Sequence, residues 1–138
     1  MEIKLSTQES EEIFYDALCN AVGNGYMQGY GLELQCDRSQ YKDSRDHLIR
    51  MADEAELMTN VVCYEDVLLQ ILKDGGELTM TDHEGDGEYT RSIKLADVHE
   101  RVQKTPIENL TNIINQNDDA TDADCVLQTV FFEDIIFG

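Results

Sequence analysis

Acidic residues outnumber basic ones 29 to 10 in this sequence of 138, and the resulting net charge of -19 restricts what the chain can fold into. Unpaired carboxylates must stay in water. A fold is open to such a chain only if its apolar residues are patterned to separate from the acids. They are: hydrophobic residues make up 41% of the chain, enough to argue against wholesale disorder, and they recur in short periodic blocks. The length suits one domain. We therefore read residues 1–138 as a single α+β domain, five or six helices packed on a small antiparallel sheet that contains a β-hairpin near residues 77–95.

The charge also sorts partners. A strongly negative surface repels nucleic acid and anionic membranes, whose binders neutralise phosphates with Lys and Arg. Its complements are basic protein surfaces and cations. The alternative is that the acid is only a solvating coat. After Lys104 the sequence has no Lys or Arg but keeps seven acids, Glu108, Asp118, Asp119, Asp122, Asp124, Glu133 and Asp134. One end of the fold is thus expected to be purely negative.

The periodic blocks place the elements. Ser6 and Glu9 have capping-box spacing, and Ile13, Phe14, Ala17, Leu18, Ala21 and Val22 follow at helical intervals up to Gly23. The stretch GNGYMQGYG reads as an irregular loop, and the alternation of Leu32, Leu34 and Cys36 as a half-buried strand. Residues 37–58 carry both charges around Tyr41, Leu48, Met51, Ala55 and Met58, the pattern of one or two surface helices. Val67, Leu68, Ile71 and Leu72 mark a buried helix that ends at Asp74-Gly75-Gly76. Residues 77–82 and 88–95 read as strands joined by HEGDG, with Leu78, Met80 and Asp82 on one face. Residues 95–104 return to helix. Thr105-Pro106-Ile107-Glu108 is a helix start with Thr105 as cap, and Thr121-x-x-Asp124 caps the last helix. The sequence closes on VFFEDIIFG, too apolar to stay free in water; it is either docked in the core or buried in an oligomer.

Candidate chemistry is sparse. Asp82-x-Glu84-x-Asp86-Gly87 matches the first half of a calcium loop, but the twelfth position, which needs a bidentate Glu, is Ile93, and the flanks read as strands. A hairpin turn with solvated acids is the simpler reading. His47, His83 and His99 stand in no nucleophile or zinc motif; Gln103 occupies the place of the second His after His99-Glu100. Cys19, Cys36, Cys63 and Cys125 form no CxxC pair, so we expect small core hydrophobes in a reducing compartment. The opening residues do not form a signal peptide, and no apolar run approaches membrane-spanning length. No metal or cofactor is called for, and an enzyme is the least supported class.

The segments CYEDVLLQILKDGG, LTMTD and LADVHERV, in that order, resemble small uncharacterised acidic proteins of tailed bacteriophages, with a weaker likeness reaching VFFEDIIFG. The resemblance implies a phage product made in the cytoplasm of the bacterial host, and it supplies no site residue. Joined to the charge, it leads us to expect an accessory protein that acts by binding: a host-defence inhibitor or DNA mimic directed at a basic host protein, such as a nucleic-acid-binding enzyme. The expected contact residues are Glu84, Asp86, Asp118, Asp119, Asp122 and Asp124. One alternative is a virion or assembly component, a homo-oligomer joined through VFFEDIIFG. Another is a small-molecule or signal-nucleotide binder using Tyr26 and Tyr30, with Arg38, Arg45, Arg50 or Arg91 converging on the ligand.

Overall fold

The structure is a computed structural model that describes residues 4–23, 30–55, 62–117 and 119–137. Tyr26 and Asp118 lie outside the described residues. The element order is α1 (Thr7–Gly23), β1 (Leu32–Gln35), α2 (Arg38–Glu54), α3 (Tyr64–Lys73), β2 (Leu78–Asp82), β3 (Arg91–Ile93), α4 (Leu95–Arg101) continuing into a 3-10 turn (Val102–Lys104), α5 (Ile107–Ile114) and α6 (Ala120–Phe132). The expected α+β class holds: six helices pack with one antiparallel sheet of order β1-β2-β3 among the described residues.

The sheet register explains its faces. Leu32 pairs with Asp82 and Leu34 with Met80, while Leu78 pairs with Ile93. Side chains alternate across a strand, so Leu78, Met80 and Asp82 all turn to the core and are buried. The core is continuous: Phe14, Ala17, Leu18 and Ala21 of α1 meet Leu68, Ile71 and Leu72 of α3 and Val126, Leu127, Val130 and Phe131 of α6. Fully burying a side chain such as Phe14 is worth about 1.5–3 kcal/mol.

Helix α1 starts as its sequence dictates. The Ser6 hydroxyl accepts from the Glu9 N–H at 3.1 Å, and the Glu9 carboxylate accepts from the Ser6 N–H at 2.9 Å. Two other starts differ from expectation. Helix α6 is capped by Asp119, not Thr121: its carboxylate takes the N–H groups of Thr121 and Asp122, and Asp122 takes the Asp119 N–H at 3.1 Å. An aspartate with a reciprocal carboxylate three residues on satisfies two orphan donors, which Thr121 with Asp124 does not do here. Helix α5 begins at Ile107 with Pro106 in the cap position, and Thr105 is buried just ahead of it.

The segment 37–55 is one helix, α2, capped by the Asp37 carboxylate on the N–H groups of Ser39 and Gln40. It packs on α3, and Ser44 is its one fully buried residue. The cysteines are all free, but none reaches the core burial we expected, and Cys63 is exposed at the α3 cap. The apolar closing segment docks: after Phe132 the chain reverses at Glu133 and residues 135–137 lie back along α6.

Candidate partner-binding surface

The hairpin loop 83–90 is organised by a buried acid. Asp82 stands at the end of β2 with its carboxylate facing inward. One oxygen accepts from the N–H groups of Gly85 at 2.8 Å and Glu84 at 3.2 Å; the other accepts from the Tyr89 N–H at 3.1 Å. The Asp82 N–H in turn donates to the Thr90 hydroxyl at 3.1 Å. Hydrogen bonds from Gly85 and then from Tyr89 and Glu84 outweigh burial and hold this carboxyl below the usual aspartate range. The residue that would open a calcium loop is therefore committed to the backbone. Asp86 and Gly87 complete the turn at φ of +54° and +83°.

The loop directs Glu84, Asp86 and Glu88 into solvent. The cation nearest in sequence does not neutralise them, because Arg91 spends one guanidinium nitrogen on the carbonyls of Glu88 and Thr90. Tyr89 fixes the loop laterally, edge-on to Phe132 at 6.2 Å and to Phe137 at 5.5 Å. These contacts set the hairpin acids beside the end of α6, where Glu133 and Asp134 are exposed. Among the described residues Glu133 is the one of these five with an ion pair, to Arg101 at 3.4 Å.

The expected contact set thus divides. Glu84 and Asp86 are exposed on a fixed loop. Asp119 is exposed at the opposite end of α6, about 20 Å away for thirteen residues of helix. Asp122 and Asp124 are buried, at 5% and 3% exposure, which removes them from any contact surface. Asp122 ties α5 to α6: it accepts from the Asn109 amide at 2.8 Å and the Asn112 amide at 3.2 Å. Burial pushes its carboxyl up, but these donors and the Asp119 N–H outweigh it and leave the group below its ordinary range. Asp124 accepts from the Gln128 amide at 2.9 Å and the Tyr30 hydroxyl at 3.3 Å, while its second oxygen has no partner among the described residues. There burial dominates and pushes the carboxyl above its ordinary range. Sequence reasoning missed Glu88, Glu133 and Asp134 as neighbours of Glu84 and Asp86; the linking signal is Tyr89, which nothing local distinguishes.

Tyr30 is half-buried, and its ring stacks on Phe137 at 4.9 Å and 20°. One face of the expected ligand-binding aromatic is therefore already covered. The arginines do not gather around it: Arg38, Arg45 and Arg50 sit on α2 and Arg91 on β3. Arg38, Lys42, Arg45 and Arg50 are exposed on α2 among four exposed acids, Asp43, Asp46, Asp53 and Glu54, and none of the four cations is in an ion pair among the described residues.

One further polar node joins α2 to α3. Asp74 accepts from the Ser44 hydroxyl at 2.9 Å and the Gln70 amide at 2.8 Å, and His47 Nδ1 lies 2.9 Å from it. Ser44 and His47 address Asp74 rather than each other, so the node is an interhelical clamp without a nucleophile–base contact. No group of three or more His, Cys, Asp or Glu side chains is placed to hold a metal ion among the described residues. No described helix is long and apolar enough to cross a membrane. Compared with known protein families, curated proteins and solved structures, the chain has no match.

Proposed function

We propose that the protein acts by binding a basic protein surface, as a phage-encoded accessory factor that occupies a host groove meant for nucleic acid. The contact face is the hairpin with its neighbour: Glu84, Asp86, Glu88, Glu133 and Asp134. The supporting observation is the Asp82-centred loop, which fixes three exposed acids by backbone hydrogen bonds before any partner arrives. Preorganised charge loses little conformational entropy on binding, and spaced negative charge meets Lys and Arg as a nucleic-acid backbone does. The resemblance to phage proteins supplies the setting, the cytoplasm of the bacterial host.

The test is capture from a bacterial lysate on the immobilised chain, read by mass spectrometry at low and high salt. The chain with E84K, D86K and E88K is compared with one carrying D43K, D46K and D53K, an equal charge reversal on the exposed face of α2. Expected is a basic nucleic-acid-binding protein retained by the native chain and by the α2 variant, and lost with the hairpin variant and at high salt. Retention indifferent to salt, or equal loss with both variants, would overturn the proposal.

A further inference from the structure

Residues 135–137 lie in a groove that reads an extended backbone. Its floor is the buried Gln128 amide, whose oxygen accepts from the N–H groups of Ile136 and Phe137, both at 2.7 Å, and whose nitrogen donates to the Phe137 carbonyl at 2.9 Å. Its walls are aromatic: Tyr30 stacks on Phe137, and Tyr89 and Phe132 meet that ring edge-on. The link from α6 to the docked segment is only Glu133 and Asp134. Glu133 sits at φ +61°, the left-handed region in which a side chain crowds the carbonyl oxygen.

A short strained hinge before a docked segment is the arrangement that exchanges between copies. We propose that the chain forms a reciprocal dimer in which residues 134–137 of each copy leave their own groove and seat on Gln128, Tyr30 and Tyr89 of the other. The occupant is argued from the groove itself, which already fits this segment contact for contact. On exchange the hinge straightens, Glu133 returns to ordinary backbone, and every contact of the segment is remade. What is given up is the ion pair of Glu133 with Arg101 and the freedom of a second molecule.

Charge sets the conditions. Two copies at -19 each repel, and exchange brings Glu133 and Asp134 of both together. Salt screens this repulsion, so the dimer is favoured by salt. The hairpin binding proposed above weakens with salt, and the two proposals can therefore fail separately.

The experiment is sedimentation velocity on the full chain across a concentration series, at low and high salt, for the native protein, E133V, E133G and F137A. The dimer fraction is expected to rise with concentration and with salt. E133V, whose branched side chain tolerates positive φ least, should dimerise about tenfold more tightly than E133G, which adopts it freely. F137A loses the same ring contacts in both forms and should shift the dissociation constant far less than E133V does. A native chain monomeric throughout, or equal dissociation constants for E133V and E133G, would overturn the proposal.

Discussion

Gln128 and Phe137 close a ring of two hydrogen bonds, the side-chain amide donating to the Phe137 carbonyl and accepting its N–H. This is the exchange that two facing residues make in an antiparallel ladder, here made by a side chain. The remaining donor of the amide goes to Asp124 and the remaining acceptor site to Ile136, so a buried group is fully satisfied. Gln128→Leu keeps the volume and strands the backbone groups of 136 and 137. It should cost about 2–4 kcal/mol in urea unfolding. A loss under about 1 kcal/mol would mean that this clasp contributes little.

Asp124 should make stability depend on pH in the unusual direction for an acid. Its carboxyl is raised in the folded chain by burial. Below the unfolded value, about 3.9, both states are protonated and the group has no effect. As pH rises above that value the unfolded state ionises first, and folding stability is lost until the raised folded pKa is passed. Asp124→Asn does not titrate. The native chain should therefore lose stability relative to this variant from about pH 4 upward, as followed by denaturation at a series of pH values. A constant difference across the series would show that the carboxyl is not perturbed.

Asp82 carries the opposite sign. Its folded pKa is depressed, so its contribution is present above about pH 3.9 and lost as pH falls through the folded value. Asp82→Ala strands the N–H groups of Gly85, Tyr89 and Glu84 in a half-buried loop. It should cost about 2–3 kcal/mol and free residues 83–90, seen as faster amide exchange at Gly85 and Tyr89. Unchanged exchange there would contradict the Asp82-centred loop.

Asp74→Ala removes the acceptor shared by Ser44, Gln70 and His47, and with it the polar clamp between α2 and α3. Ser44 and Gln70 are buried; the Ser44 hydroxyl loses its acceptor, and the Gln70 amide keeps only the longer contact to His47 Nδ1 at 3.3 Å. Amide exchange in α2 should accelerate while α1 and α6, which hold the core, stay protected. Equal acceleration in all helices would mean that the clamp serves global rather than local stability.

Much of the fold was legible because its signals are local. Helical spacing from Ile13 to Ala21 and the box of Ser6 and Glu9 placed α1, and the alternation of Leu78, Met80 and Asp82 placed β2 with its acid turned inward. The site was less legible because burial is not local. In α6 all residues from Asp122 to Phe131 but Cys125 are buried, since α1, α4, α5 and β3 surround it. That environment draws Asp122 and Asp124 inward and makes capping and clasping groups of acids that a charge count reads as surface. The choice of Asp119 over Thr121 as cap likewise depends on Asp122, which Asn109 and Asn112 hold from α5.

The charge balance of α2 has a consequence for how an encounter begins. Four of the ten basic side chains, Arg38, Lys42, Arg45 and Arg50, lie exposed on this helix and are offset there by four exposed acids, Asp43, Asp46, Asp53 and Glu54, whereas the exposed hairpin carries Glu84, Asp86 and Glu88 with no exposed Lys or Arg between them. Negative charge is therefore denser at the hairpin than on α2. Beyond the screening distance, about 10 Å at 0.1 M salt, an approaching cationic body feels little. Inside it, the body is drawn to the hairpin more than to the neutral α2. Charge asymmetry of this kind acts on the rate of productive collision rather than on how long a complex lasts.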